Sequence, residues 1–425
     1  MQLNLNIEDL HFDTPLPPLY RVRYPQDPAA LEDIPRAIHE QLDTVKLKER
    51  LHPGMSIAVT AGSRGIHDIV PTLKAVVDYL KTAETKPFLV PAMGSHGGAT
   101  AHGQKEMLAE LRITEESIGC PIRSTMDVVE VGQLENGVPA YMDRFAAEAD
   151  GVVVINRVKP HTDFYAPIES GLAKIIAIGL GKRRGAETIH SYGPNGLREF
   201  IPALAQQIIG TGKILCGLAL LENASERTAE IVALPPHEIG AAGEEALLTR
   251  ATELMGRLPF EQLDVLIVNE IGKNISGCGM DTNVIGRMRI PGQPEPANPN
   301  ISIIVALDIT HQSHGNASGI GLADLITARV ANKFDFRATY INGLTAGIGG
   351  VQRSMLPIVL PTARDAISAA LHCCAQPQLE AVRLVRIQNT LSLQDMLVSP
   401  ALLEEARAAG LELVGEMPWE GLEAA

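Results

Sequence analysis

Residues 156–190, NRVKPHTDFYAPIESGLAKIIAIGLGKRRGAETIH, set one lysine, Lys174, in a run of apolar and small residues between His161 and His190. A lysine drawn partly out of water is less willing to hold its charge and becomes a nucleophile, which suits a covalent bond to a cofactor. The bland alternative is a lysine that closes an apolar helix by snorkelling. Small residues in SGLAK leave room beside the amine for a bulky group. His190 offers an imidazole to a metal, although one imidazole is not a metal site on its own.

Three further apolar runs end in polar residues. IAVTAG leads to Ser63 and Arg64, FLVPAMG to Ser95 and His96, and GVVVINRVKP to His161. A guanidinium at such a place can grip a carboxylate with two parallel hydrogen bonds. Gly97 and Gly98, beside His96, let a ligand approach the backbone closely. Taken singly, a loop arginine or histidine is more often structural, and GSHGG is neither a Walker loop nor G-x-G-x-x-G. The same placement in three successive units gives the pattern its weight.

The elements that must position these residues follow a strand–loop–helix rhythm. In IHDIVPTLKAVVDYLKTA, Ile69, Leu73, Val76, Val77 and Leu80 recur at helical spacing after the first apolar run. A helical region is expected over about 196–256, and the rhythm restarts with LDVLIVNEIGKN, ISIIVALDITHQSHGN and GIGLADLITARVANKF. The fold class expected is α/β: two domains with mainly parallel sheets flanked by helices, and the active site in the cleft between them. Domains are expected over 1–258 and 259–425, with a boundary near 256–262. IPGQPEPANPN at 290–300 reads as a polar loop, and the tail as a helix and short strand with a surface Trp419.

The chain has 425 residues, long enough for two cores. Aromatics make up 4%, so aliphatic residues must build the interior, as in parallel sheets. A net charge of −14 argues against a nucleic-acid partner. The five cysteines form no C-x-x-C and suit a reducing cytoplasm. No signal peptide or long apolar run is visible, so neither secretion nor membrane spanning is expected.

At Arg64, His96, Pro160–His161, Lys174 and His190 the chain resembles the lactate racemase family of nickel-pincer racemases and epimerases. PHTDF…ESGLAK and TIH carry the most specific part of the likeness. The resemblance implies that Lys174 tethers a nickel-pincer nucleotide (pyridinium-3,5-bisthiocarboxylic acid mononucleotide nickel), with His190 as the protein's nickel ligand. It further implies His96 and His161 as alternating general base and acid, and Arg64 on the substrate carboxylate. Ser95 and Lys273 join the cofactor-binding set, and Asn274 the substrate-binding set. Enzymes that synthesise the cofactor would then be needed for activation. The chain departs from the family at Ala61, where close members carry an acidic residue, and at SGLAK, where they read SGG.

DITHQSHGNASGIGLAD adds Asp308, His311, His314 and Asn316, with no counterpart in the family. His311 and His314 are three apart, which in a loop says little about metal binding. They are expected, with Asn316, to contact the polar end of a 2-hydroxy acid larger or more polar than lactate. Two other readings stay open: a metal-assisted hydrolase or lyase using His96, His161 and His190, and a non-catalytic anion-binding protein. A homo-oligomer is left open as well.

Overall fold

A computed structural model describes residues 6–63 and 65–420. It divides into two compact units, one of residues 29–255 and one of residues 1–28 with 256–425. The expected first domain, 1–258, therefore differs at its start. Strand β1 (Leu19–Arg23) belongs with the C-terminal half, because it pairs antiparallel with two strands near the end of the chain.

The 29–255 unit holds β2 (Ser56–Ala61), β3 (Lys86–Pro91), β4 (Val128–Gln133), β5 (Pro139–Asp143), β6 (Gly151–Arg157), β7 (Ile214–Glu222) and β8 (Thr228–Leu234). Its main sheet runs β3-β2-β6-β7-β8, parallel except for β8, while β4 and β5 form a separate hairpin. Strand β2 shows why the run is apolar on both sides. Ile57, Val59 and Ala61 face a core with Leu73, Val76 and Leu80 of the helix Ile69–Thr82. Ala58 faces the opposite core, with Ile176, Ile201 and Leu204. A parallel sheet covered by helices on both faces needs that continuous hydrophobicity.

The helical region expected over 196–256 is corrected. Two helices, Gly193–Ile209 and Ala242–Leu254, flank a β-hairpin made of β7 and β8. Every residue of β7 is buried, so ILCGLALLE lacks the alternation that marks a half-exposed strand.

The other unit holds, besides β1, strands β9 (Gln262–Val268), β10 (Asn300–Ala306), β11 (Leu325–Thr327), β12 (Ile358–Leu360), β13 (Leu384–Ile387), β14 (Asp395–Val398) and β15 (Glu412–Met417). Its sheet order is β12-β11-β10-β9-β13-β14-β1-β15, parallel from β12 to β13 and antiparallel beyond. Trp419 is partly buried rather than a surface residue, and its indole N–H donates to the Pro17 carbonyl at 2.8 Å. Both units are α/β with mostly parallel strands, as expected. Among the described residues no helix is long and apolar enough to cross a membrane.

Candidate active site

In the 29–255 unit the chain leaves β2 for β3 on one side and later returns to β6 on the other. Loops diverge at such a switch point and leave a crevice beyond the strand ends, where α/β folds bind ligands. The ends of β2 and β6 approach closely here. A Cβ added to Gly62 would lie 3.7 Å from Asn156 Oδ1 and 3.9 Å from Ile175 Cδ1.

Ser63 leaves β2 and His96 leaves β3. Ser63 Oγ and His96 Nδ1 share a hydrogen bond of 2.5 Å. Ser95 and His96 are exposed on the same loop. Arg64 lies outside the described residues. The His67 N–H donates to Glu222 Oε1 at 2.9 Å, and Glu222 also pairs with Arg157.

His161 follows β6 and is only 12% exposed at its side chain. Its ring packs on Phe164 with centroids 4.5 Å apart. The Asp163 N–H donates to His161 Nδ1 at 3.0 Å. His161 Nε2 lies 2.7 Å from Lys174 Nζ.

Two buried carboxylates set up this pair, and neither drew notice in the sequence. Glu169 accepts from the backbone N–H of His161 at 2.5 Å and of Ala166 at 3.0 Å, which fixes the loop that carries the imidazole. Burial pushes its carboxyl up to about 7, against those two hydrogen bonds and any charge on Lys174, which pull it down. Glu244, 2% exposed, accepts from the Gly240 N–H at 2.8 Å and from the Ala173 N–H at 3.2 Å. It holds the start of the short helix Leu172–Lys174 and is itself pushed up by burial. A Cβ at Gly171 would fall 2.1 Å from Glu244 Oε1, so a side chain there would push the carboxyl group aside. Asn156 adds a tie from β6, donating to the Gly171 carbonyl at 2.8 Å.

Lys174 is followed at once by a π-helical turn, Ile175–Gly179, and then by the helix Lys182–His190. Such turns are rare and frequently mark functional sites. His190 ends that helix. The protein around it holds its imidazole below the ordinary range, a charged Lys174 acts in the same direction, and Asp163 opposes both. The residue as a whole is exposed, so the crowding is one-sided, and the direction favours the neutral form that can bind a metal.

The structure thus brings Ser63 to His96 and His161 to Lys174. In the other unit, Lys273, Asn274, His311, His314 and Asn316 follow β9 and β10, neighbouring parallel strands. Lys273 Nζ donates to the Gly277 carbonyl at 2.7 Å, and Asn274 Oδ1 accepts from Thr310 at 2.6 Å. The rings of His311 and His314 stand edge to face at 5.9 Å. Asn316 Oδ1 accepts from the Ser318 N–H at 3.1 Å.

Fold and site define an α/β protein with an amine and imidazoles gathered at a switch point. Residues 8–195 match the family model of the lactate racemase N-terminal domain. The lactate racemase apoprotein from Thermoanaerobacterium thermosaccharolyticum is similar in structure, with a TM-score of 0.47 and 12% identity over 83% of this chain and 86% of that chain. No curated protein matches.

Proposed function

We propose that the protein is an isomerase, a racemase or C2 epimerase of a 2-hydroxy acid, that works with a nickel-pincer nucleotide attached to Lys174. The observation that carries this reading is the Lys174 amine 2.7 Å from His161 Nε2, an imidazole placed to exchange a proton with an amine that must be neutral to make a covalent bond.

The residues present fit such a group. Gly171 and Ala173 keep the approach to Lys174 narrow in side chains, and His190 supplies one imidazole biased toward its neutral form. Among the described residues no three of His, Cys, Asp and Glu gather as a metal-binding set. A metal that arrives with most of its ligands needs only one from the protein. A hydrolase using His96, His161 and His190 as joint ligands would need all three together, so the donor set favours the tethered group.

When bound, the nucleotide supplies an electrophile that accepts and returns the C2 hydride. The chain's own residues do the remaining work. His96 and His161 take and return the hydroxyl proton, one for each enantiomer, and Arg64 holds the carboxylate. Ser95 and Lys273 contact the cofactor. Asn274, His311, His314 and Asn316 contact a substrate larger or more polar than lactate. Ser63, bonded to His96, and Glu169, bonded to the His161 backbone, keep the two bases oriented.

The test is intact-mass and metal analysis of protein made in a host that supplies the cofactor-synthesis enzymes. The expected result is a covalent adduct with bound nickel on the parent and neither on Lys174→Ala. Racemisation by a well-folded Lys174→Ala variant would overturn the reading.

A further inference from the structure

One fully buried lysine has no part in the chemistry above. Lys182 is 0% exposed and opens the helix that ends in His190. Its backbone sits at φ +51°, in the left-handed region that favours glycine. Its ammonium donates to the carbonyl of Pro91, the last residue of β3, and to Gln104 Oε1 at 3.0 Å. It also pairs with Asp143 Oδ2 at 3.2 Å, and Asp143 is likewise 0% exposed. Burial pushes the lysine down and the aspartate up, each against the attraction of its partner.

Gln104 carries the connection onward. Its side chain is fully buried, and Nε2 donates to the Gly94 carbonyl at 2.9 Å and the His96 carbonyl at 3.3 Å. The same loop is pinned from the opposite side, where the Gly94 N–H donates to the Gly179 carbonyl of the π turn at 3.2 Å. The fit is close. A Cβ at Gly179 would lie 2.6 Å from the Ala92 carbonyl oxygen, and one at Gly97 would lie 2.6 Å from the Gln104 nitrogen.

We infer that Lys182, with Gln104 and Asp143, is a positioning residue for His96, tying its loop to the segment that runs from Lys174 to His190. Lys182 therefore fixes the place of one base relative to the residues assigned to cofactor and metal. This inference rests on the proposed function for the meaning of His96, although the placement itself is testable without activity.

The first variant, Lys182→Met, leaves the Asp143 carboxylate buried without its cation, although the Ala146 N–H still donates to it at 3.0 Å, and is expected to unfold more readily. The decisive variant is the double replacement Lys182→Met with Asp143→Leu. It substitutes apolar groups for both partners, a change that commonly preserves stability, yet it removes the ties to Pro91 and Gln104. Gln104→Leu tests the last step alone.

The readout is the His96 imidazole, followed by NMR with isotope-labelled histidine in the metal-free protein and assigned through His96→Gln. In a double variant that melts within a few degrees of the parent, the His96 signal should shift and its titration midpoint should move. The signals of His237 and His372 should not change. In the loaded enzyme kcat should fall by about 10²-fold, as expected of a misplaced group, with KM altered less than about threefold. An unchanged His96 signal and kcat in a folded double variant would overturn the inference. A shifted His96 signal in a protein that never carries the Lys174 adduct would instead leave the inference standing and sink the proposed function.

Discussion

The two units use the same device, an apolar parallel strand that ends in a polar loop, and they use it differently. In the 29–255 unit, ring nitrogens meet side chains that can exchange protons with them: Ser63 with His96, and Lys174 with His161. In the other unit the equivalent loops turn much of their polarity inward. Asp308 is held by Lys333 at 2.5 Å and Arg329 at 3.6 Å, and Thr310 links Asn274 to Ser313. The exposed rings of His311 and His314 lie against each other. A histidine after a strand is thus a weak signal. What separates the loops is whether the ring is hydrogen-bonded to a group of matched chemistry.

The largest effects should come from the first region. His96→Gln and His161→Gln are each expected to lower kcat for racemisation by 10²–10⁴-fold in both directions, the usual cost of losing a positioned acid–base group. Chiral chromatography of each enantiomer would check this, and rates within a few-fold of the parent would reduce both residues to structural roles.

Smaller effects should come from the second region. His311→Ala and His314→Ala are expected to raise KM by about tenfold with little change in kcat, as follows from loss of a contact equally strong in ground and transition states. A fall in kcat as large as that for His96 would erase the contrast between the two regions.

The smallest effect concerns stability and the pH. Glu169 has its folded carboxyl raised from 4.5 to about 7. The native chain therefore keeps a proton that the unfolded chain has released, so stability falls as pH rises between those values, and the loss is complete above pH 7. That difference sets a ceiling of about 3 kcal/mol. Urea unfolding at pH 5 and pH 8 should show the parent losing stability relative to Glu169→Gln across that interval. Parallel curves would mean that Glu169 is already ionised at pH 5.

Much of the site was legible because its residues stand at the ends of apolar runs. Ser63, His96 and His161 follow β2, β3 and β6 as the pattern implies, and Lys174 stands apart by its charge. Glu169, Glu244, Gln104 and Lys182 were not legible. Their importance comes from burial by residues far along the chain, and a glutamate or lysine in sequence looks solvated until its surroundings are known. The hairpin of β7 and β8 was hidden for a related reason. ILCGLALLE is buried on both faces, and a short unbroken apolar run between two amphipathic helices reads equally well as helix.

The placement of β1 bears on the order in which the chain can take shape. Its neighbours in the sheet are β14 and β15, so its pairing partners are made long after it. The 29–255 unit, by contrast, is contiguous and has its whole sequence available once Met255 has emerged. During synthesis, then, the segment carrying His96, His161 and Lys174 has its own partners well before β1 finds its own. Strand β1 must therefore wait for β14 and β15 before it can pair.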